Sequence, residues 1–140
     1  MTQEDKYLLL KELCARLQYG VKFMIDKMYL TEDMIKGGYD KRQELYGITC
    51  EGNVELLNMD YHMPVESIKP YLFPMSSMTE EQKTELNDTL IQLELKALND
   101  EIEHHKVAEF EIDFYNKNMF DYRGLIPMGL AIDCTNLNIY

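Results

Sequence analysis

Apolar side chains recur at helical spacing near the start of the chain. Residues 3–18 predict an amphipathic helix, with Thr2 as its N-cap and Glu4 and Asp5 in the first turn, where the helix dipole favours acidic groups. Gly20 is well placed to end this helix in a left-handed conformation. The apolar face follows the i, i+3/i+4 rule, and its members are Leu9, Leu10, Leu13, Cys14 and Leu17.

The pattern then changes from a helical to an alternating period. In the segment from Val21 to Leu30, every second residue from Val21 to Ile25 is apolar, which predicts a half-buried strand. The segment from Thr31 to Gly38 predicts a loop or a single helical turn that ends at Gly37-Gly38.

Two further strands are predicted around a short glycine-containing connection. Residues 42–50 and 54–59 flank Glu51-Gly52-Asn53, a connection of hairpin length. Together with the preceding strand they predict a small three-stranded antiparallel sheet in meander order. We expect one face of this sheet to meet the helices and the other to be only partly covered.

Prolines stiffen the segment from Asp60 to Ser77. Pro64, Pro70 and Pro74 fix their own backbone angles and push the residues before them into extended geometry. This pattern predicts a stiff strap with a short helical turn over residues 64–68. The side chains expected to anchor the strap on the core are Tyr71, Leu72, Phe73 and Met75.

The longest segment without glycine or proline runs from Thr79 to about His105 and predicts a long helix. Thr79 and Gln82 fit a capping box. Two apolar stripes lie about 140° apart around its axis. They are Leu86, Leu90, Leu93 and Ala97, and Ile91, Leu95, Leu98 and Ile102. Because one flat layer cannot cover both stripes, the helix is either sandwiched within its own chain, which we favour, or binds a second molecule with one stripe.

The periodicity drifts after Glu103, which predicts a kink or loop at about 103–107 and a further helix from about 107 to 118. A short helical turn is expected around 121–127, and residues 131–139 are expected to add an edge strand or to pack on the surface. The predicted fold class is α+β. It comprises an N-terminal helix, a small three-stranded antiparallel sheet, and a long helix followed by shorter C-terminal helices, in one domain of 140 residues.

Composition narrows the classes of function. The apolar fraction of 46% is that of a globular protein, and the net charge of −11 argues against binding to nucleic-acid backbones. The same charge permits attraction to basic protein surfaces. Three cysteines without a Cys-x-x-Cys pair, and a charged N-terminal segment, favour reduced thiols in a cytoplasmic protein without a membrane span.

Three phrases of the sequence are distinctive, and together they cover about a third of the chain. They are LLLKELCARLQYGVK at 8–22, IKPYLFPMSSMTEEQK at 68–83 and FDYRGLIPMGLAI at 120–132. They resemble a group of short uncharacterised proteins from gut Bacteroidales genomes, their phages and mobile elements. Such relatives often have Leu-Pro-Tyr-Gly at positions 17–20, where this chain has Leu-Gln-Tyr-Gly, and a His pair at 118–119, where it has Asn-Met. The resemblance implies a phage or mobile-element setting rather than an activity.

Candidate chemistry is sparse. Glu101 and His105 have the i, i+4 spacing of metal ligands on a helix, but two ligands fall short of a site, and the adjacent His104 points elsewhere. No phosphate-binding glycine motif and no cysteine–histidine signature occurs. We therefore expect no catalytic residue, no metal and no cofactor, and a metal-dependent hydrolase is the weakest of the functional hypotheses.

The leading hypothesis is a non-enzymatic acidic binding protein of phage or mobile-element type that inhibits or modulates a host protein, for example a defence factor. Its basis is the charge, the missing catalytic set and the second stripe of the long helix. The same helix, residues 79–105, is also a candidate for forming a homo-oligomer. The candidate partner-binding residues are Ile91, Leu95, Leu98, Ile102, Glu101, Glu109 and Asp113.

The alternative hypothesis is a protein that sequesters a small nucleotide-like anion between aromatic rings and guanidinium groups. Its candidate ligand-binding residues are Arg42, Tyr46, Tyr122 and Arg123. For Arg123, in the phrase Asp121-Tyr122-Arg123-Gly124, a structural ion pair with a carboxylate is favoured over a bound anion.

Overall fold

The computed structural model describes residues 1–56 and 62–140, and these residues form an α+β fold. One mixed sheet has the strand order β4-β3-β2-β1-β5-β6, in which neighbours are antiparallel except for the parallel pair β5–β6. The helices are α1 (Gln3–Arg16), α2 (Glu32–Lys36), α3 (Glu80–Leu98) and α4 (His105–Lys117). The strands are β1 (Lys22–Ile25), β2 (Gln43–Ile48), β3 (Asn53–Leu56), β4 (His62–Pro64), β5 (Ile68–Leu72) and β6 (Ile132–Asp133).

Helix α1 begins where the sequence predicts. Thr2 and Asp5 form a reciprocal capping box, with each side chain accepting a hydrogen bond from the other residue's backbone N–H. The predicted apolar face is only partly right. Leu9 and Leu13 are buried in the main core, but Cys14 is exposed, and the charged residues Glu12 and Arg16 are buried beside the leucines.

The predicted meander of β1, β2 and β3 is confirmed. Val21, Phe23 and Ile25 all point into the core. The turn of the β2–β3 hairpin contains Gly52 in a left-handed conformation with φ of 81°. A side chain at Gly52 would begin 3.2 Å from Leu10 Cδ1, so α1 packs closely over this hairpin. Residues 57–59, the predicted end of the third strand, lie outside the described residues.

The sheet is larger than predicted, because the proline strap contributes two strands, β4 and β5. Asp26 N donates to Ser67 O, so Asp26 and Ser67 are a hydrogen-bonded pair of the β1–β5 ladder. Hydrogen-bonded and non-hydrogen-bonded pairs alternate along an antiparallel ladder. Phe23 and Pro70 lie three positions further along and are therefore a non-hydrogen-bonded pair. The ladder with β1 therefore requires no N–H from Pro70. The prediction of a three-stranded sheet is therefore confirmed only in part, because the strap was expected to anchor on the core and instead pairs with β1 and β3.

Tyr140 completes the ladder between β1 and β5. The next hydrogen-bonded pair would be Lys22 with Tyr71, but here the phenol hydroxyl of Tyr140 stands between the two backbones. It accepts from Lys22 N at 2.9 Å and donates to Tyr71 O at 2.9 Å. Although Tyr140 as a whole residue is 46% exposed, burial around its hydroxyl raises the pKa of Tyr140 above its ordinary value.

Helix α3 begins at the predicted capping box of Thr79 and Gln82 but ends at Leu98, well before His105. Asp100 adopts a left-handed conformation with φ of 56°, and Glu101 N donates to Lys96 O while Asp100 N donates to Ala97 O. This is a Schellman-type C-cap without glycine, which explains why the sequence did not signal it.

Among the described residues, α4 is the only helix after α3. The helical turn predicted at 121–127 is a set of non-helical turns. The carboxylate of Asp121 accepts hydrogen bonds from the backbone N–H groups of Leu125 and Ile126, each at 2.8 Å. Because the side chain takes these donors, they are not available for helical bonding.

The helices α3 and α4 form a hairpin with a small core of its own. That cluster is centred on the buried side chains of Met78, Leu86, Phe114 and Phe120. The larger core lies between the sheet and α1, and includes Leu9, Phe23 and Leu125.

We expect Tyr140→Phe to lower the free energy of unfolding by about 1–3 kcal/mol, because the change leaves a backbone N–H and a carbonyl without their partner. Tyr46→Phe is the matched control, since the ring of Tyr46 is 64% exposed and water can solvate its hydroxyl in both states. Urea unfolding of both variants measures the effect. Equal stabilities of the two variants would contradict this role for Tyr140.

Candidate functional site

The second apolar stripe of α3 lies on the surface of the chain. Ile91, Leu95 and Leu98 are 56%, 55% and 74% exposed, and they form one row at i, i+4 and i+7. Ile102 lies beyond the end of the helix and is half-buried. We use the name exposed row for Ile91, Leu95 and Leu98. The intramolecular sandwich that the sequence favoured is therefore wrong.

The exposed row results from the way in which α4 packs. Leu86 and Leu90 of the first stripe share one apolar cluster with Phe110 and Phe114 of α4, and Ala97 of the same stripe is buried. Since the two stripes lie about 140° apart, covering the first with α4 leaves the second facing outward. Beside the end of the row is a depression of about 330 Å³ that is lined by Glu94, Ala97, Leu98, His104 and Val107.

The acidic members of the predicted binding face lie on other elements. Glu101 is exposed in the segment between the helices, and Glu109 and Asp113 are exposed on α4. Glu109 is 3.1 Å from Lys106 Nζ and 3.8 Å from His105 Nε2. These carboxylates therefore belong to the helix hairpin, but not to the same helix face as the exposed row.

The four predicted ligand-binding residues are placed differently from one another. Arg42 donates to Asn138 O at 3.1 Å, and Tyr46 is exposed on β2. Tyr122 and Arg123 do lie together, with the guanidinium 5.1 Å from the ring centre. Arg123 also forms an ion pair with Glu12, as the structural interpretation of this arginine predicts.

A buried ionic cluster surrounds Glu12, and the sequence did not reveal it. One carboxylate oxygen pairs with Arg16 and the other with Arg123. Glu12 and Arg16 are each only 1% exposed. Arg16 also donates to the carbonyl of Phe120, and its guanidinium lies 5.5 Å from the centre of the Tyr122 ring. We use the name ionic cluster for Glu12, Arg16, Tyr122 and Arg123.

The electrostatics of the ionic cluster favour a structural role. Burial lowers the pKa of Arg16 to about 10, while the nearby Tyr122 and Asp121 act in the opposite direction. Arg16 therefore keeps its charge at neutral pH. Both guanidinium groups pair with the single carboxylate of Glu12, so these three side chains carry a net charge of +1, and the nearby Asp121 offsets it. One sequence pattern could have indicated the ionic cluster: Glu12 and Arg16 share the helical face of Leu9 and Leu13.

The three distinctive phrases of the sequence meet at the ionic cluster. The first carries Glu12 and Arg16, and the third carries Tyr122 and Arg123. The middle phrase supplies Phe73, whose N–H donates to Met119 O and whose carbonyl accepts from Asp121 N, each at 2.8 Å. The three phrases thus lie at one structural junction.

The described residues provide little for metal or thiol chemistry. No group of three or more His, Cys, Asp or Glu side chains among them is placed to hold a metal ion. His105 pairs with Glu103 at 3.2 Å rather than with Glu101. Cys14, which was expected on the apolar face of α1, and Cys50 are both exposed. Cys134 is buried, and burial raises its thiol pKa to about 11.

Across residues 1–56 and 62–140, no helix has the length and apolar character needed to cross a membrane. The chain was compared with protein-family models, with curated proteins and with solved structures, and none of the three comparisons gave a match.

We expect Arg16→Met to lower the free energy of unfolding by about 3–5 kcal/mol, because it removes one partner of a buried carboxylate. Lys83→Met is the control: it breaks the exposed pair of Lys83 with Glu80, and such pairs contribute at most about 1 kcal/mol. Chemical denaturation measures both. The double variant Glu12→Leu/Arg16→Met should recover part of the loss, and a loss for Arg16→Met no larger than that for Lys83→Met would contradict the role of the cluster.

Proposed function

We propose that this chain is a non-enzymatic binding protein of phage or mobile-element type. It docks on a host protein through the exposed row of α3 and thereby inhibits or modulates that protein, of which a defence factor is one example. The observation that carries the proposal is the row itself: three large aliphatic side chains, each more than half exposed, on one face of one helix. The phage or mobile-element setting rests on the resemblance alone.

The spacing of the exposed row supports helix-mediated docking. Ile91, Leu95 and Leu98 stand at i, i+4 and i+7, the spacing with which an amphipathic helix contacts an apolar surface on a partner. Complete burial of one such side chain contributes about 1.5–3 kcal/mol, so three in a row are a substantial source of affinity.

The rigidity of α3 supports the same proposal. Its first turn is closed by the capping box of Thr79, its last turn by the bonds around Asp100, and α4 packs along its first stripe. The row is therefore held in one arrangement before any partner arrives. Preorganisation of this kind reduces the conformational entropy that binding would otherwise cost.

The alternatives have less support. A nucleotide-like anion would need Arg123 or Arg42, and these donate to or pair with Glu12, Tyr122 and Asn138. A metal-dependent hydrolase would need a ligand cluster around Glu101 and His105, and these two are not paired with each other. Binding through the exposed row needs no rearrangement of the chain.

We expect the tagged chain to retain a specific protein from a lysate of a gut Bacteroidales bacterium. Leu95→Gln/Leu98→Gln should abolish that retention, because it removes the apolar contact while keeping good helix-forming residues. Met28→Gln is the matched control, since Met28 is 83% exposed on a different element. Affinity capture followed by mass spectrometry measures the result.

The proposal fails if no specific protein is retained. It also fails if Leu95→Gln/Leu98→Gln retains the same protein as Met28→Gln. A marked rise in melting temperature with one member of a nucleotide panel would instead favour the small-ligand alternative.

A further inference from the structure

We infer that the occupant of the exposed row is a basic amphipathic helix of another protein, with an apolar stripe flanked by Lys or Arg. This inference rests on the proposed function and goes further by naming the chemistry of the partner. Two features of the helix hairpin carry it: where carboxylates stand beside the row, and how the charge of the chain is distributed.

Carboxylates stand on both sides of the exposed row. Asp88 and Glu94 are exposed on α3, and each lies about 60° around the helix axis from the row, on opposite sides of it. The basic residues of α3 stand elsewhere. Lys83 is paired with Glu80 at 3.1 Å near the start of the helix, and Lys96 points about 130° away from the row.

The whole hairpin reinforces this pattern. Residues 80–117 contain eleven carboxylates and four lysines, so a segment of 38 residues carries −7 of the net charge of −11. A docking helix therefore meets a surface of strongly negative net charge. Lys or Arg beside its apolar stripe would face Asp88 and Glu94, whereas acidic flanks would be repelled.

The same charge argues against a second copy of this chain as the occupant. Two exposed rows placed face to face would bring two hairpins of charge −7 together, with Asp88 and Glu94 of both copies near the contact. Like charges at an interface are unfavourable and select against that pairing. Charge complementarity therefore favours a basic partner over a homodimer, although either one would cover the same aliphatic side chains.

The test uses a labelled 18-residue model peptide of leucine and lysine, with leucine at i, i+3, i+4 and i+7 so that a helix carries one apolar stripe. Fluorescence anisotropy measures its binding to the full chain. A scrambled peptide of the same composition and a leucine–glutamate analogue of the same pattern are the peptide controls. We expect the patterned leucine–lysine peptide to bind and the other two to bind at least about tenfold more weakly, since only the first matches both the row and its charge.

Two pairs of substitutions locate the contact. Asp88→Asn/Glu94→Gln should weaken binding about threefold to tenfold and flatten its dependence on salt, as expected for two exposed ion pairs. Asp40→Asn/Glu51→Gln removes the same charge from exposed positions outside α3 and α4, and should change binding less than twofold. Leu95→Gln should also weaken binding, whereas Met28→Gln should not.

Several outcomes would overturn the inference. They are equal binding of the leucine–glutamate peptide, equal effects of the two charge-removing pairs, and a dimer in light scattering that Leu95→Gln dissociates. If the lysate experiment captures a partner through the exposed row while the peptide shows no charge preference, the proposed function stands and the basic partner does not. If neither experiment depends on Leu95, both fail.

Discussion

Glu12, on the buried face of α1 and held between two guanidinium groups, is the constraint on which much of the fold depends. A carboxylate that is 1% exposed is tolerated only if its charge is compensated, and one of its partners, Arg123, is supplied from the opposite half of the chain. The segment that carries Arg123 is bonded to Phe73, which directly follows β5. One buried charge thereby fixes the position of α1 relative to the strap and to the end of α4.

That junction also explains why the helix hairpin presents the surface it does. Phe120 lies at the junction and in the small core at the base of the hairpin, beside Leu86 and Phe114. The base is thus anchored, and α4 is directed along the first stripe of α3. With α4 in that position, no other described element packs on Ile91, Leu95 and Leu98. The exposed row is a consequence of topology, and not of a local irregularity in α3.

Local signals in the sequence predicted the elements that depend on neighbouring residues, and failed where distant residues compete. The N-cap at Thr2, the capping box of Thr79 and Gln82, β1 and the β2–β3 hairpin follow from residues a few positions apart. The strand through Pro70 could not be predicted locally, because proline is acceptable only in a particular register against Phe23. Glu12 and Arg16 were missed for the same reason, since a helix pattern assigns charged residues to solvent unless a partner is known. The two stripes of α3 were visible, but not which of them α4 would cover.

The acidic hairpin also resolves a physical conflict created by the exposed row. A row of aliphatic side chains on the surface invites self-association and aggregation. Carboxylates on both sides of the row oppose contact between copies, while leaving the apolar side chains accessible to a surface of opposite sign. If the exposed row acts as proposed, Asp88 and Glu94 therefore have two effects that uncharged side chains beside the row would not have. They oppose pairing of the row with itself, and they set the charge that a partner must carry.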